Sequence, residues 1–329
     1  MWNWNQFKNL PRNRDLSAQE QSRQYFIYQS NMMYEASVNN TVATAAAAAG
    51  SGGGSLAIPT FRFKSNQNLF SIYFDQGDNL EGELTIDWGD GTKETYYDQD
   101  FYVVNHTYDK QVEDEISINF TTNLDVYGIY LYENRITELK TGELPSSLEV
   151  LDLYDNELTS FDPRIALPSS LEYIGLINNQ LTSFNPTIAL PNSLIGLYLQ
   201  NNQLTSFDPT IALPSSLVNL YLNNNQLTSF NPTIALPSSL GYLLLSDNQL
   251  TSFNPTITLP DSLQTIILLG NQLNTNEVNT TLVLLDTYTI TVSNFREFDL
   301  RMDPVAPPSG AGLTAITSLQ SKGYTVYTD

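Results

Sequence analysis

The chain has 329 residues, 41% of them apolar, enough to bury a sizeable core and to allow two or three domains. Thirty-five acidic residues against 14 basic ones give a net charge of −21, and so acidic a surface repels phosphate backbones and anionic headgroups, so neither nucleic acid nor a membrane surface is expected as a partner. No cysteine is present, which excludes disulfides, thiolate metal sites and cysteine nucleophiles. The charge is uneven: residues 1–49 hold four basic and three acidic side chains, and the other 280 residues hold ten and 32. No run reaches the roughly 18 apolar residues of a membrane span. The opening MWNWNQFKNLPRNRD lacks the basic-then-apolar layout of a secretory signal.

Ser17 and Glu20 form a capping box, which predicts that a helix starts there and runs to about Ala49 without Pro or Gly. Spacings of three, four and seven place Tyr25, Tyr28 and Met32 on one stripe, with Phe26 and Met33 beside it. The stripe either packs back on the body, or inserts into a partner or self-associates into a homo-oligomer. The flexible GSGGGS at 50–55 favours the second, which makes residues 1–49 a helical anchor for assembly.

From 56 to 121 short alternating strands are predicted over Phe61–Lys64, Leu69–Phe74, Glu83–Trp88, Phe101–Val104 and Glu115–Phe120. Asp90-Gly91 is a hairpin turn signal. The motif WGDGT at 88–92 followed by HTY at 106–108 resembles the polycystic-kidney-disease (PKD) domain, which implies a small immunoglobulin-like β-sandwich with Trp88 and Tyr108 in its core. His106, the sole histidine, is read as a structural hydrogen-bonding residue. Asp87 and Asp90 are the only candidates for a calcium ion here, and two carboxylates fall short of the six to eight or so oxygens calcium takes; no metal is assigned.

The strongest signal lies between 122 and 275. Leu144, Leu167, Leu190, Leu213, Leu236 and Leu259 are 23 residues apart, each opening a copy of LPxSLxxLxLxxNxL, with Ile174 and Ile266 at core positions. Asn156, Asn179, Asn202, Asn225, Asn248 and Asn271 keep the same period, and a shorter copy with Ile129, Leu131, Asn134 and Ile136 precedes them. Seven copies at this period resemble the leucine-rich-repeat proteins. Each coil would contribute one short strand with two leucines inward, and the Asn amide would satisfy backbone groups in the buried bend. On that account Asn202 and Asn225 are structural, whereas replacing the exposed Asn201 should cost little. Phe161, Phe184, Phe207, Phe230 and Phe253 would form an aromatic spine on the convex side. The LPxSL opening also looks like the repeats of bacterial type III effectors, whose ligase members need a catalytic Cys that this chain lacks.

Beyond Asn271 the period fails. Asn276–Asp286 has helical spacing, Ile290–Met302 is predicted as strand, Pro304–Gly312 as loop, Leu313–Ser321 as a short helix and Tyr324–Tyr327 as a last strand. Residues 276–329 are thus expected to cap the solenoid. The fold class is mostly β: an N-terminal helix, a small β-sandwich, a leucine-rich-repeat solenoid and a C-terminal α/β cap.

Catalysis has little to work with. No nucleophile–base pair is apparent, Gly50–Gly54 lacks the Lys and flanking elements of a phosphate loop, and Asp152 with Asp155 reads as a solvated pair. No enzyme activity and no cofactor are expected. In the repeat strands, residues alternating with the leucines face the concave side: Tyr130, Tyr132, Asp152, Tyr154, Tyr173, Tyr198, Gln200, Asn219, Tyr221, Asn223 and Tyr242. Tyrosines with amide neighbours suit recognition of a protein or glycan; alternatively they reflect strand propensity on an idle scaffold. The layout of head, linker and surface-type modules resembles a phage virion fibre or decoration protein. That resemblance implies virion partners for Tyr25, Phe26, Tyr28, Met32 and Met33 and a host surface for the repeats. A bacterial surface adhesin and an intracellular repeat adaptor are the alternatives.

Overall fold

The computed structural model describes residues 60–65, 69–76, 83–97, 103–108, 115–120, 125–140, 142–161, 167–184, 189–207, 212–230, 235–253, 259–287 and 297–329. The expected anchor helix with Tyr25, Phe26, Tyr28, Met32 and Met33, and the linker at 50–55, lie outside them.

The first six strands are β1 (Thr60–Ser65), β2 (Leu69–Gln76), β3 (Glu83–Asp87), β4 (Lys93–Tyr97), β5 (Val103–Thr107) and β6 (Glu115–Phe120). Side chains two apart share a face. Phe61 and Phe63, Phe70, Ile72 and Phe74, Leu84 and Ile86, and Ile116, Ile118 and Phe120 are accordingly all buried together. Strand β4, KETYY, was not expected: it lies at a sheet edge and buries none of its side chains, so it carries no apolar alternation to detect.

The repeats supply β7 (Val126–Tyr130), β8 (Ile136–Leu139), β9 (Val150–Asp152), β10 (Tyr173–Gly175), β11 (Gly196–Tyr198), β12 (Asn219–Tyr221), β13 (Tyr242–Leu244) and β14 (Thr265–Ile267). From β7 through β9 to β14 all pair in parallel, with Leu151, Ile174, Leu197, Leu220, Leu243 and Ile266 in one row. This is the leucine-rich-repeat solenoid. Two exchanges tie it to the sandwich. Strand β2 pairs antiparallel with β7, which adds β2 and β5 to the solenoid sheet. Strand β8 leaves the first coil to pair with β1 in the other sheet. The order in the two sheets is β4-β3-β6-β1-β8 and β16-β15-β14-β13-β12-β11-β10-β9-β7-β2-β5, where β15 (Glu297–Leu300) and β16 (Thr325–Thr328) belong to the last segment.

Three side-chain ladders hold coil to coil. Asn202 donates through Nδ2 to Leu176 O (2.8 Å) in the preceding coil and to Leu199 O (3.0 Å) in its own, while Oδ1 accepts from Leu181 N (3.0 Å). Asn156, Asn179, Asn225, Asn248 and Asn271 repeat that pattern. The Ser just before the core Leu of each LPxSL opening donates to the preceding coil: Ser193 to Leu171 O, Ser216 to Leu194 O and Ser239 to Leu217 O, each at 2.7 Å. The five phenylalanines stack with centroids 6.0–6.3 Å apart, as the spine predicts.

Asp155, Asn178, Asn201, Asn224 and Asp247 adopt positive φ between 52° and 58°, the left-handed region that Asn, Asp and Gly tolerate best. The exposed Asn201 is therefore held by its backbone, and its Nδ2 donates to Asn178 Oδ1 (2.5 Å); the low cost expected for replacing it does not follow.

Helix α1 (Thr275–Asp286) starts at an N-cap Asn274 that accepts from Asn276 N and Glu277 N. Its Val278, Leu282 and Leu285 are buried, and Thr281 Oγ1 donates to Phe253 O (3.2 Å) at the end of the spine. Helix α2 (Ala311–Ser321) packs against it. Strands β15 and β16 continue the parallel sheet, so this α/β segment extends the solenoid by two wider turns.

Candidate functional site

Strand register resolves the outer face of the parallel sheet, opposite the leucine rows, into three columns. One runs Gly128, Val150, Tyr173, Gly196, Asn219, Tyr242, Thr265; the next Tyr130, Asp152, Gly175, Tyr198, Tyr221, Leu244, Ile267. Two positions further on, Tyr132, Tyr154, Ile177, Gln200, Asn223, Ser246 and Leu269 form the third, matched by backbone bonds such as Asn178 N to Gln200 O and Asn201 N to Asn223 O.

All eleven residues predicted for the face lie in these columns, in two groups. At the sandwich end, Tyr132 stacks on Tyr154 and on Tyr73 of β2, both at 4.9 Å between centroids. Tyr73 was not legible as a face residue, because nothing in LFSIYFDQ says that β2 becomes the neighbour of β7. Tyr130 folds back over Gly128, where an added Cβ would lie 2.5 Å from the ring. In the middle, Tyr173, Tyr198 and Tyr221 follow one another at 6.5 and 5.1 Å, with Gln200, Asn219 and Asn223 around them. Tyr242 closes this group, its hydroxyl donating to Gln264 Oε1 (3.3 Å).

The middle group is more enclosed than a simple open face would be: Tyr173, Tyr198, Gln200, Asn219, Tyr221 and Asn223 are 2–7% exposed. Gly196 is one reason. A Cβ there would lie 2.8 Å from both Tyr173 Cδ1 and Tyr198 Oη, so the rings close over a position that has no side chain.

Electrostatics follow burial. Burial first, then the neighbouring Tyr221, pushes the Tyr198 phenol well above its usual range. Burial likewise pushes Asp152 up to about 7, helped by Asp155 and opposed by the Tyr154 N–H, which donates to Asp152 Oδ1 at 3.2 Å. Asp152 also faces Gly175 on the next strand, whose missing Cβ would lie 2.5 Å from Oδ1. The carboxylate read from sequence as solvated is thus a partly buried acid beside the tyrosines, with its proton held more tightly than usual. Gln200 Oε1, Asn219 Oδ1 and Asn223 Oδ1 are buried with no hydrogen-bond donor among the described residues, a deficit of about 1–3 kcal/mol each.

In the sandwich, Trp88 is fully buried and stacks on His106 at 4.5 Å, and Tyr108 Oη donates to Trp88 O (2.9 Å). Asp90 Oδ2 bonds His106 Nε2 (2.9 Å), and its Oδ1 accepts from Thr92 N and Oγ1. Against the burial that raises it, these bonds hold Asp90 down at about 2. Asp87 pairs with Lys93 (2.8 Å). Both carboxylates are already engaged by protein donors, and His106 is bound in a structural network, as its sequence setting suggested. Among the described residues no group of His, Asp or Glu is placed to hold a metal, and no helix is long and apolar enough to cross a membrane.

No family model and no curated protein matches this chain. Among solved structures it is similar to a leucine-rich-repeat domain of a Shigella effector, at 23% identity and a TM-score of 0.41, covering 61% of this chain and 80% of that one. It is also similar to YopM from Yersinia enterocolitica, at 27% identity and a TM-score of 0.27, covering 54% of this chain and 43% of that one.

Proposed function

We propose that the chain is a non-enzymatic binding protein that holds a partner protein on the outer face of its repeat sheet. One observation carries this. From Leu167 to Phe253 the exposed convex pair Thr182-Ser183 recurs unchanged as Thr205-Ser206, Thr228-Ser229 and Thr251-Ser252, while the sheet columns change from coil to coil: Tyr173-Ile174-Gly175, Gly196-Leu197-Tyr198, Asn219-Leu220-Tyr221, Tyr242-Leu243-Leu244. Drift without selection would scatter changes over exposed positions of both faces. Changing Tyr198 and Tyr221 together to Ala tests the face: partner binding should fall, and binding at wild-type strength by the folded variant would place the partner elsewhere.

As to setting, the sequence layout supports a virion-attached fibre or decoration protein. Residues 1–49 would be its anchor, the PKD-like segment a spacer, and a host surface protein or glycan its target. An intracellular repeat adaptor accounts for the described residues equally well. Mass spectrometry of purified virus particles separates the two, since an adaptor would be absent from them.

A further inference from the structure

The unpaired groups on this face are all of one kind. Gln200 Oε1, Asn219 Oδ1 and Asn223 Oδ1 are acceptors, and no donor among the described residues meets them. Gln200 and Asn223 stand at one level on neighbouring strands, two positions after the paired Tyr198 and Tyr221. Asn219 stands two positions before Tyr221, so acceptors flank the tyrosine pair on both sides. Parallel strands lie about 4.8 Å apart, a span that the forked N–H groups of one planar cation bridge.

The fold does not require amides here. The coil before Gln200 has Ile177 at the equivalent position, the coil two after Asn223 has Leu269, and Val150 stands in the column of Asn219. Buried acceptors without donors are a standing cost in a folded protein. Here they are kept where apolar residues fit the same scaffold one to three coils away.

We propose, resting on the sheet-face assignment above, that this patch receives an arginine side chain of the partner protein. A guanidinium offers only donors and no acceptor, and it stacks on tyrosine rings. Its charge suits a chain with a net charge of −21. Asp152, two strands from Tyr198 in the same column, adds a carboxylate on that side.

The test is to pan a random heptapeptide library on the full-length protein and to measure a synthetic copy of the most enriched peptide against variants. Enriched peptides should carry arginine, and their Arg→Gln versions should lose binding. Gln200→Ile with Asn223→Leu leaves the net charge untouched and substitutes residues that other coils already hold. It should keep a melting temperature at or above wild type and weaken the arginine peptide about tenfold or more. Each single substitution is measured alongside, so a folding failure of the pair does not remove the readout. Enrichment of acidic or uncharged peptides, or of none, overturns the proposal. So does an arginine peptide indifferent to these neutral substitutions, because its attraction would then be to the acidic surface at large. If uncharged peptides are selected and are lost on Tyr198→Ala with Tyr221→Ala, the binding face stands and only its ligand class falls; peptides insensitive to both sets bring down both.

Discussion

Asn134 and Ser71 are joined by two hydrogen bonds: Asn134 Oδ1 accepts from Ser71 N (2.9 Å), and Asn134 Nδ2 donates to Ser71 O (2.6 Å). The first rung of the asparagine ladder thus closes on strand β2 of the sandwich, in the place where every later Asn finds a preceding coil. Asn134→Leu should leave both backbone groups unpaired and cost on the order of 2–3 kcal/mol. Ser71→Ala keeps the same backbone groups and removes only an exposed bond to Asn105, so it should cost under about 1 kcal/mol. Chemical denaturation of the two variants checks the difference, and equal losses would mean that the backbone pairing is not what couples the modules.

Within the solenoid two adjacent asparagines fail for different reasons. Asn202→Leu leaves the buried Leu181 N–H without its acceptor and takes one of two donors from each of Leu176 O, Leu199 O and Gln200 O, and should cost about 2–3 kcal/mol. Asn201→Val places a β-branched residue at φ 58° and should cost about 1–2 kcal/mol, while Asn201→Gly should be close to neutral. Melting shifts measured across the three variants test the order. A harmless Asn201→Val would refute the left-handed assignment.

Asp152 predicts a pH dependence with a definite sign. Its folded value of about 7 lies above the ordinary 3.8, so between those values the folded state holds the proton more tightly than the unfolded one. Stability from this group is complete below about pH 4, declines as pH rises toward 7 and then levels off. Asp152→Asn removes the decline: the variant should melt higher than wild type at pH 8 and nearly level with it at pH 4. A difference that stays constant across that range would show that Asp152 titrates normally.

Phe207 is 2% exposed and stacks on Phe184 on one side and Phe230 on the other. Phe207→Ala should cost roughly 3–5 kcal/mol; Tyr198 and Tyr221 are nearly as buried, at 7% and 4%, so Tyr198→Ala and Tyr221→Ala should each destabilise too, but by less, because the lost ring opens to the sheet face and leaves no closed cavity. Thermal melts of these variants separate the two sides of the sheet, and a face variant as damaged as Phe207→Ala would make the tyrosines structural.

The ladders explain why so much of the fold could be read from the sequence. A leucine row, an Asn column and a Phe column each have one function and one spacing, so a period of 23 exposes them. The serines escaped because LPSSL also reads as a turn, and only the bond from Ser193 to Leu171 O gives the residue its role. Asn201 and its equivalents are polar and exposed, which in a sequence looks like indifference; the positive φ is visible only in the backbone. Pairings between distant segments were also hidden: β8 joining β1, β2 joining β7, and β15 continuing the parallel sheet follow from tertiary neighbours and not from local pattern. On the face, Gln200, Asn219 and Asn223 could be named from alternation, yet that their oxygens are buried without donors shows only in the folded sheet.

Each coil from Leu167 to Phe253 meets its neighbour through the same bonds, Asn to the preceding strand, Ser to the preceding turn, Phe on Phe. Any of these coils therefore fits after any other. Nearly identical coding segments in tandem recombine, and an in-register crossover adds or deletes whole coils with every ladder amide still paired. An out-of-register event leaves buried breaks and is lost. The length of the binding face is thereby heritable separately from its chemistry, and lineages carrying this protein should differ in coil number by steps of 23 residues.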